Sequence, residues 1–188
     1  CNQPHAGYAA INALLKQYDG FILTTNTDGY HLRSGAPSER VYEIHGSMWR
    51  LQCIDGHRRL VWDNTDVPLC DLNEEAMLVV EDSMPRHGVH LLRPNILMFD
   101  DYWFVSNSDQ IYSMAKFEEQ PIDTVILIGS DCGVPTNVLR AAAYQKQGAK
   151  VICINPSVDC CGGFMKPDVH LLVGARDGLR AIAELDQT

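Results

Sequence analysis

Apolar residues occur along this chain in two patterns. In the last third they form unbroken β-branched runs, Asp123-Thr124-Val125-Ile126-Leu127-Ile128-Gly129 and Lys150-Val151-Ile152-Cys153-Ile154-Asn155. Such runs predict strands buried on both faces, as in parallel sheets. Between them, Thr136 to Gln147 carries Val138, Leu139, Ala142 and Ala143 on one side and ends at Gly148, which predicts a helix. A strand–helix–strand unit of this kind needs a right-handed crossover. Val169 to Val173 predicts a final strand, and Ala175 to Leu185 a closing helix with Leu179, Ile182 and Leu185 inward. Near the start, Pro4 sits in the first turn of a helix whose Ile11, Leu14, Leu15 and Tyr18 form an i, i+3, i+4, i+7 stripe. Asp19-Gly20 ends it and leads into Phe21-Ile22-Leu23-Thr24-Thr25, another apolar strand. The expected architecture is α/β, a mainly parallel sheet with helices on both faces. Between about Ser47 and Leu92 the pattern breaks into a polar, turn-rich stretch, which predicts a small inserted module. Met48, Trp49, Leu51, Leu60, Val61 and Trp62 are its candidate core.

Candidate chemistry sits where apolar runs give way to polar side chains. The Phe21 strand ends in Asn26, Asp28 and His31, and Tyr42-Glu43-Ile44 is followed by His45-Gly46-Ser47. Ligands of open α/β sheets bind at the carboxyl ends of strands. The same residues also suit ordinary polar turns, since Asn, Asp and Gly are usual turn residues. The net charge of −9 disfavours a nucleic-acid partner and fits attraction to a basic peptide. No apolar run reaches the roughly 18–20 residues of a membrane span, and no signal peptide is expected. Seven cysteines without regular spacing suit a reduced, cytoplasmic protein. The vicinal Cys160-Cys161 reads as an incidental loop feature.

These residues carry a resemblance. Thr24-Thr25-Asn26-Thr27-Asp28-Gly29-Tyr30-His31 resembles the sirtuin motif Thr-Gln-Asn-Ile-Asp-x-Leu-His. Glu43-Ile44-His45-Gly46-Ser47 is similar to the family's Glu-x-His-Gly-Ser. Arg93-Pro94-Asn95-Ile96-Leu97-Met98-Phe99-Asp100-Asp101, Gly129-Ser130-Asp131-Cys132-Gly133-Val134 and Ile152-Cys153-Ile154-Asn155 follow in the family's order. The resemblance implies a Rossmann-like α/β fold and NAD as cofactor. It also implies an acyl-lysine protein or peptide as substrate, with the acyl group passing to ADP-ribose and nicotinamide released. His45 would be the base, Asn26 would orient the ribose or a water, and Asp28 would meet the nicotinamide carboxamide. Gly129, Ser130 and Asn155 would hold the adenosine half, Thr25 standing where the family has glutamine. Phe99, Asp100 and Asp101 would face the acyl peptide. A histidine suits the basic role because imidazole exchanges a proton near neutrality.

Several positions depart from the family. Asp100 replaces a glycine where substrate backbone adds as a strand, which obstructs that pairing. Asp131 places a carboxylate near phosphates. Cys53 and Cys70 stand where the family has two cysteine pairs for zinc, so metal is expected to be lost. A set of Cys53, His57, Cys70 and His87 or His90 matches no usual zinc spacing. The Gly-Ala-Gly-x-Ser phosphate loop is not found in the sequence, which reads either as a fragment of a longer protein or as a chain with half its nucleotide site lost. Three functions remain open: a deacylase, an NAD hydrolase or ADP-ribosyltransferase, and a non-catalytic NAD-sensing module.

Overall fold

The computed structural model of the protein describes residues 3–66, 70–130, 133–159 and 161–185. In chain order the elements are α1 (Ala6–Gln17), β1 (Ile22–Thr24), α2 (Tyr30–Arg33), β2 (Val41–Glu43), β3 (Gly46–Cys53), β4 (Val61–Asp63), β5 (Leu72–Asn73) and β6 (Leu78–Val79). They continue with β7 (Arg86–His87), β8 (His90–Ile96), α3 (Ser108–Phe117), β9 (Thr124–Ile128), α4 (Thr136–Lys146), β10 (Lys150–Ile154), β11 (Val169–Leu171) and α5 (Ala175–Leu185). Asp131, Cys132 and Cys160 lie outside the described residues, as does the side chain of Leu185. Among the described residues no helix is long and apolar enough to cross a membrane.

The chain forms two compact units. The first comprises Cys1–Thr24, Tyr30–Tyr42 and Tyr112–Thr188. Its centre is a three-stranded parallel sheet in the order β11-β10-β9, with Val151 opposite Val125 and Cys153 opposite Leu127. Side chains alternate across a strand. Val151 and Cys153 therefore share one face, where they pack with Leu127 and with Val138 and Ala141 of α4. Ile154 is on the other face, against α5, where a Cβ on Gly178 would come within 2.4 Å of the Ile154 methyl. Helices thus cover both faces, as the unbroken apolar runs require. Asp168 ties the edge together, accepting from Val151 N at 2.8 Å and from Gln145 Nε2 at 3.0 Å. A second cluster joins Ile22, Ala36 and Val41 to Ile11 and Leu15 of α1. His5 caps α1 by accepting from Gly7 N at 3.0 Å.

The expectation of one mainly parallel sheet needs correction. Strands β9, β10 and β11 are parallel to one another, while β1 pairs with β2 in a separate two-stranded piece and the sheet β4-β3-β8-β7 is antiparallel. The pairs β3–β4, β3–β8, β5–β6 and β7–β8 are antiparallel, and the short connections within β3–β4, β5–β6 and β7–β8 suit such pairing, whereas parallel neighbours need a long crossover like the one through α4.

The second unit comprises Thr25–Gly29 and Glu43–Ile111, wider than the module expected between Ser47 and Leu92. Its core is a four-stranded sheet in the order β4-β3-β8-β7. Leu51, Cys53 and Leu92 are buried there with Trp62 packed against them. The long strands β3 and β8 show that this stretch is more regular than its polar composition suggests.

Candidate functional site

The second unit builds its site on one irregularity. Strand β3 pairs with β8 at Gly46–Ile96 and Ser47–Asn95, then resumes at Leu51–Pro94, with a register shift between Ser47 and Leu51. A bulge of this sort re-aims the extra residues. Met48 N donates to Thr27 O at 2.9 Å, and Trp49 Nε1 donates to Asp28 O at 2.8 Å. The bulge therefore grips the Thr25–Gly29 loop, which presents an exposed Asn26 and a half-buried Asp28 and Thr25. Gly29 completes the fit at φ +66°, where a Cβ would come 2.7 Å from Trp49 Cδ1. Positive φ costs an L-residue about 1–2 kcal/mol. Gly29→Ala should thus lower stability by at least that amount, read from the urea midpoint, and shift the Trp emission as Trp49 is displaced. An unchanged midpoint would mean the loop is not held by Trp49.

His45 lies in the turn between β2 and β3, immediately ahead of that bulged strand. Its carbonyl accepts from Leu97 N at 3.0 Å, fixing the turn. The half-buried imidazole makes no hydrogen bond among the described residues. Gly46 has φ +75°, and a Cβ there would stand 1.9 Å from Asn95 O, so only glycine allows β3 to start this close to β8.

Behind the turn lies a polar cluster of Glu43, Arg50 and Gln110. Glu43, 3% exposed, pairs with Arg50 at 2.8 Å, and its backbone N donates to Gln110 Oε1 at 3.1 Å. Arg50 reaches Glu43 because the bulge turns it inward. A neighbouring network joins Asn95 Nδ2 to Gln52 Oε1 at 2.8 Å, while Gln52 Nε2 donates to Trp103 O at 2.7 Å. This network fastens the 103–105 segment to the sheet.

The residues expected to face a peptide are arranged differently from an open strand edge. Beyond Ile96 the chain turns, with Phe99 94% exposed and Asp100 at φ 58°. Asp101 pairs with Arg93 at 2.5 Å and accepts from Trp103 N at 3.0 Å. The Asp101 carboxylate is thus committed inside its own loop. Burial pushes the Asp101 carboxyl up, but the Arg93 hydrogen bond, the Trp103 N–H and the Arg93 charge outweigh it, and the net shift is below the usual 3.8. A carboxyl depressed in the folded state stabilises it above the unfolded pKa, and that support is lost as pH falls through the folded value. Trp103 fluorescence should hold constant from pH 7 to about 4 and change on further acidification. Asp101→Asn should abolish the acid step, and a step that survives this change would assign it elsewhere.

At the carboxyl ends of the parallel strands in the first unit, Gly129 adopts φ +65° with nothing within 4 Å of an added Cβ. Asn155 Nδ2 donates to Ser130 O at 2.5 Å and its Oδ1 accepts from Ser157 N at 2.9 Å. The Asn155 amide therefore shapes the strand-end loop, leaving Gly129 and Ser130 as the accessible edge. Among the described residues, no three of His, Cys, Asp or Glu converge as metal ligands. Cys53 is fully buried within the β3–β8 core and Cys70 is half-buried.

Solved structures share this α/β fold. A Sir2 homolog–NAD complex superposes with a TM-score of 0.70 at 18% identity, covering 98% of this chain and 65% of that one. A Sir2 bound to acetylated peptide gives 0.68 at 16% identity, covering 98% and 71%. The sequence matches the Sir2 family over residues 1–136, and the chain belongs to that family. It is 30% identical over 150 residues to an NAD-dependent protein deacylase of Aeropyrum pernix, 80% of this chain and 54% of that protein. With an NAD-dependent protein deacylase of Aquifex aeolicus it shares 25% identity over 182 residues, 96% of this chain and 68% of the relative. The chain thus spans about half to two-thirds of the length of these relatives.

Proposed function

We propose that the protein serves as an NAD-dependent protein-lysine deacylase of the sirtuin type. The observation that carries this reading is His45, whose ring has no hydrogen-bond partner among the described residues and whose turn opens directly into the strand that pins the Asn26–Asp28 loop. NAD, when bound, supplies a ribose whose nicotinamide leaves readily. With NAD held there, His45 would be the group that accepts the proton of a ribose hydroxyl, the acyl oxygen of the substrate lysine bonding to the ribose carbon from which nicotinamide departs. Asn26 would orient the ribose or a water, and Asp28 would meet the nicotinamide carboxamide. NAD fits the residues in part: Gly129 leaves open space at the strand end, whereas Asn155 already uses both ends of its amide. On this reading β9, β10 and β11 are the portion of a Rossmann-like sheet that carries the adenosine half, with Ser130 beside Gly129. Thr25 takes the family glutamine's place near the ribose.

A second reading has its own support. The closed turn at Phe99, Asp100 and Asp101 offers no extended edge to a peptide, which favours a hydrolase or ADP-ribosyltransferase using water or another nucleophile. One assay separates these readings. The protein is incubated with NAD, with and without an acetyl-lysine peptide, and nicotinamide is measured. Release that requires peptide supports deacylation, and release without it supports the second reading. Release in neither sample would leave an NAD-sensing module.

A further inference from the structure

We propose that the hairpin formed by β5 and β6 is a docking finger for a basic, partly apolar polypeptide segment, a role beyond the chemistry assigned above. Every residue from Asp71 to Asp82 is exposed. The exposed residues include large apolar side chains: Leu72 at 67%, Met77 at 86%, Leu78 at 65%, Val79 at 44% and Val80 at 39%. Leu72 lies opposite Val79, and Asn73 opposite Leu78. By alternation one face presents Leu72 and Val79, and the other presents Leu78 and Val80.

An isolated two-stranded hairpin is marginal in water, and exposed apolar residues grouped on one element mark an interaction surface. This hairpin is nonetheless closed by specific bonds. Val80 N donates to Asp71 O at 2.8 Å, Asp71 N donates to Ser83 Oγ at 2.8 Å, and Ala76 N donates to Asn73 Oδ1 at 3.0 Å in the turn. Its shape is therefore fixed while its apolar faces stay open.

Charge selects the occupant. Asp71, Glu74, Glu75, Glu81 and Asp82 surround the apolar residues, and the stretch contains no Lys or Arg. Arg86, the nearest base after it in sequence, pairs with Glu81 at 3.7 Å. A second copy would bring carboxylates against carboxylates, and an anionic membrane would be repelled in the same way. A segment alternating Lys or Arg with apolar residues satisfies both features, placing its apolar side chains on the Leu72–Val79 face and its cations on the rim. The rim contacts also speed encounter and weaken with salt.

The test uses a fluorescein-labelled peptide alternating lysine with leucine, followed by anisotropy. Two control peptides alternate glutamate with leucine and lysine with serine. The lysine–leucine peptide should bind at least tenfold tighter than either control, and its affinity should fall as salt rises. The pair Leu72→Ser with Val79→Ser and the pair Glu74→Lys with Glu75→Lys should each weaken it at least tenfold. All four residues are exposed, so the thermal melt of the rest of the protein should not move. The proposal is overturned if the lysine–leucine peptide fails to bind, if lysine–serine binds equally well, or if neither variant pair matters. Sedimentation showing a dimer that Leu72→Ser with Val79→Ser dissociates would assign the face to a second copy, and would overturn it too.

Discussion

Replacing His45 with alanine should lower nicotinamide release from NAD by about 10²–10⁴-fold, the usual contribution of a positioned general base. The fold should survive, because the half-buried imidazole holds no hydrogen bond among the described residues and the turn is fixed by its backbone, through Leu97 N on His45 O at 3.0 Å. Urea midpoints for the two proteins should therefore agree while the rates diverge. Activity falling less than tenfold would remove His45 from the basic role. A parallel loss of stability would show that the ring supports the turn. Asn26→Ala provides a second measurement on the same site. That side chain is exposed on the gripped loop, so its loss should reach turnover with little effect on the melt.

The parallel core was legible because burial on both faces leaves no polar interruption to misread. Thr124–Ile128 and Lys150–Ile154 announce themselves as runs, and Gly148 marks the turn between α4 and β10. Strand β3 was not legible, although its candidate site residues were. Its burial does not alternate, because the bulge carries Met48, Trp49 and Arg50 out of register, and because a fully buried Gln52 looks polar in sequence. The same mechanism hid the cluster behind His45. A glutamate and an arginine seven positions apart on different strands show no helical or strand period, and only the bulge brings them together. At Asp100-Asp101 the sequence exposed the substitution but not its consequence. A left-handed residue and an ion pair back to Arg93 together close the loop, and neither follows from local propensity.

The buried Glu43–Arg50 pair should be the largest single electrostatic contribution to the second unit. The Glu43 side chain is 1% exposed and that of Arg50 14%, at a separation of 2.8 Å. Removing one member of such a pair leaves a charge without its counter-ion in a poorly solvated site, at a cost of about 3–5 kcal/mol. Glu43→Gln keeps the size and leaves Arg50 uncompensated, so it should show most of that loss. Arg50→Met strands the Glu43 carboxylate and should cost a similar amount. The double variant removes both charges and should recover much of the loss, since an apolar replacement of a whole buried pair is often neutral. Urea denaturation of the four proteins gives the cycle directly. Additive losses in the double variant, or single losses below about 1 kcal/mol, would mean that the pair behaves as a solvated surface bridge. The functional consequence follows from position. Glu43 and Arg50 flank the His45 turn in sequence, one before it and one on the bulge after it, so the double variant tests whether charge or mere packing holds the base. If stability returns but nicotinamide release does not, the ion pair is a positioning device for His45 rather than a fold requirement.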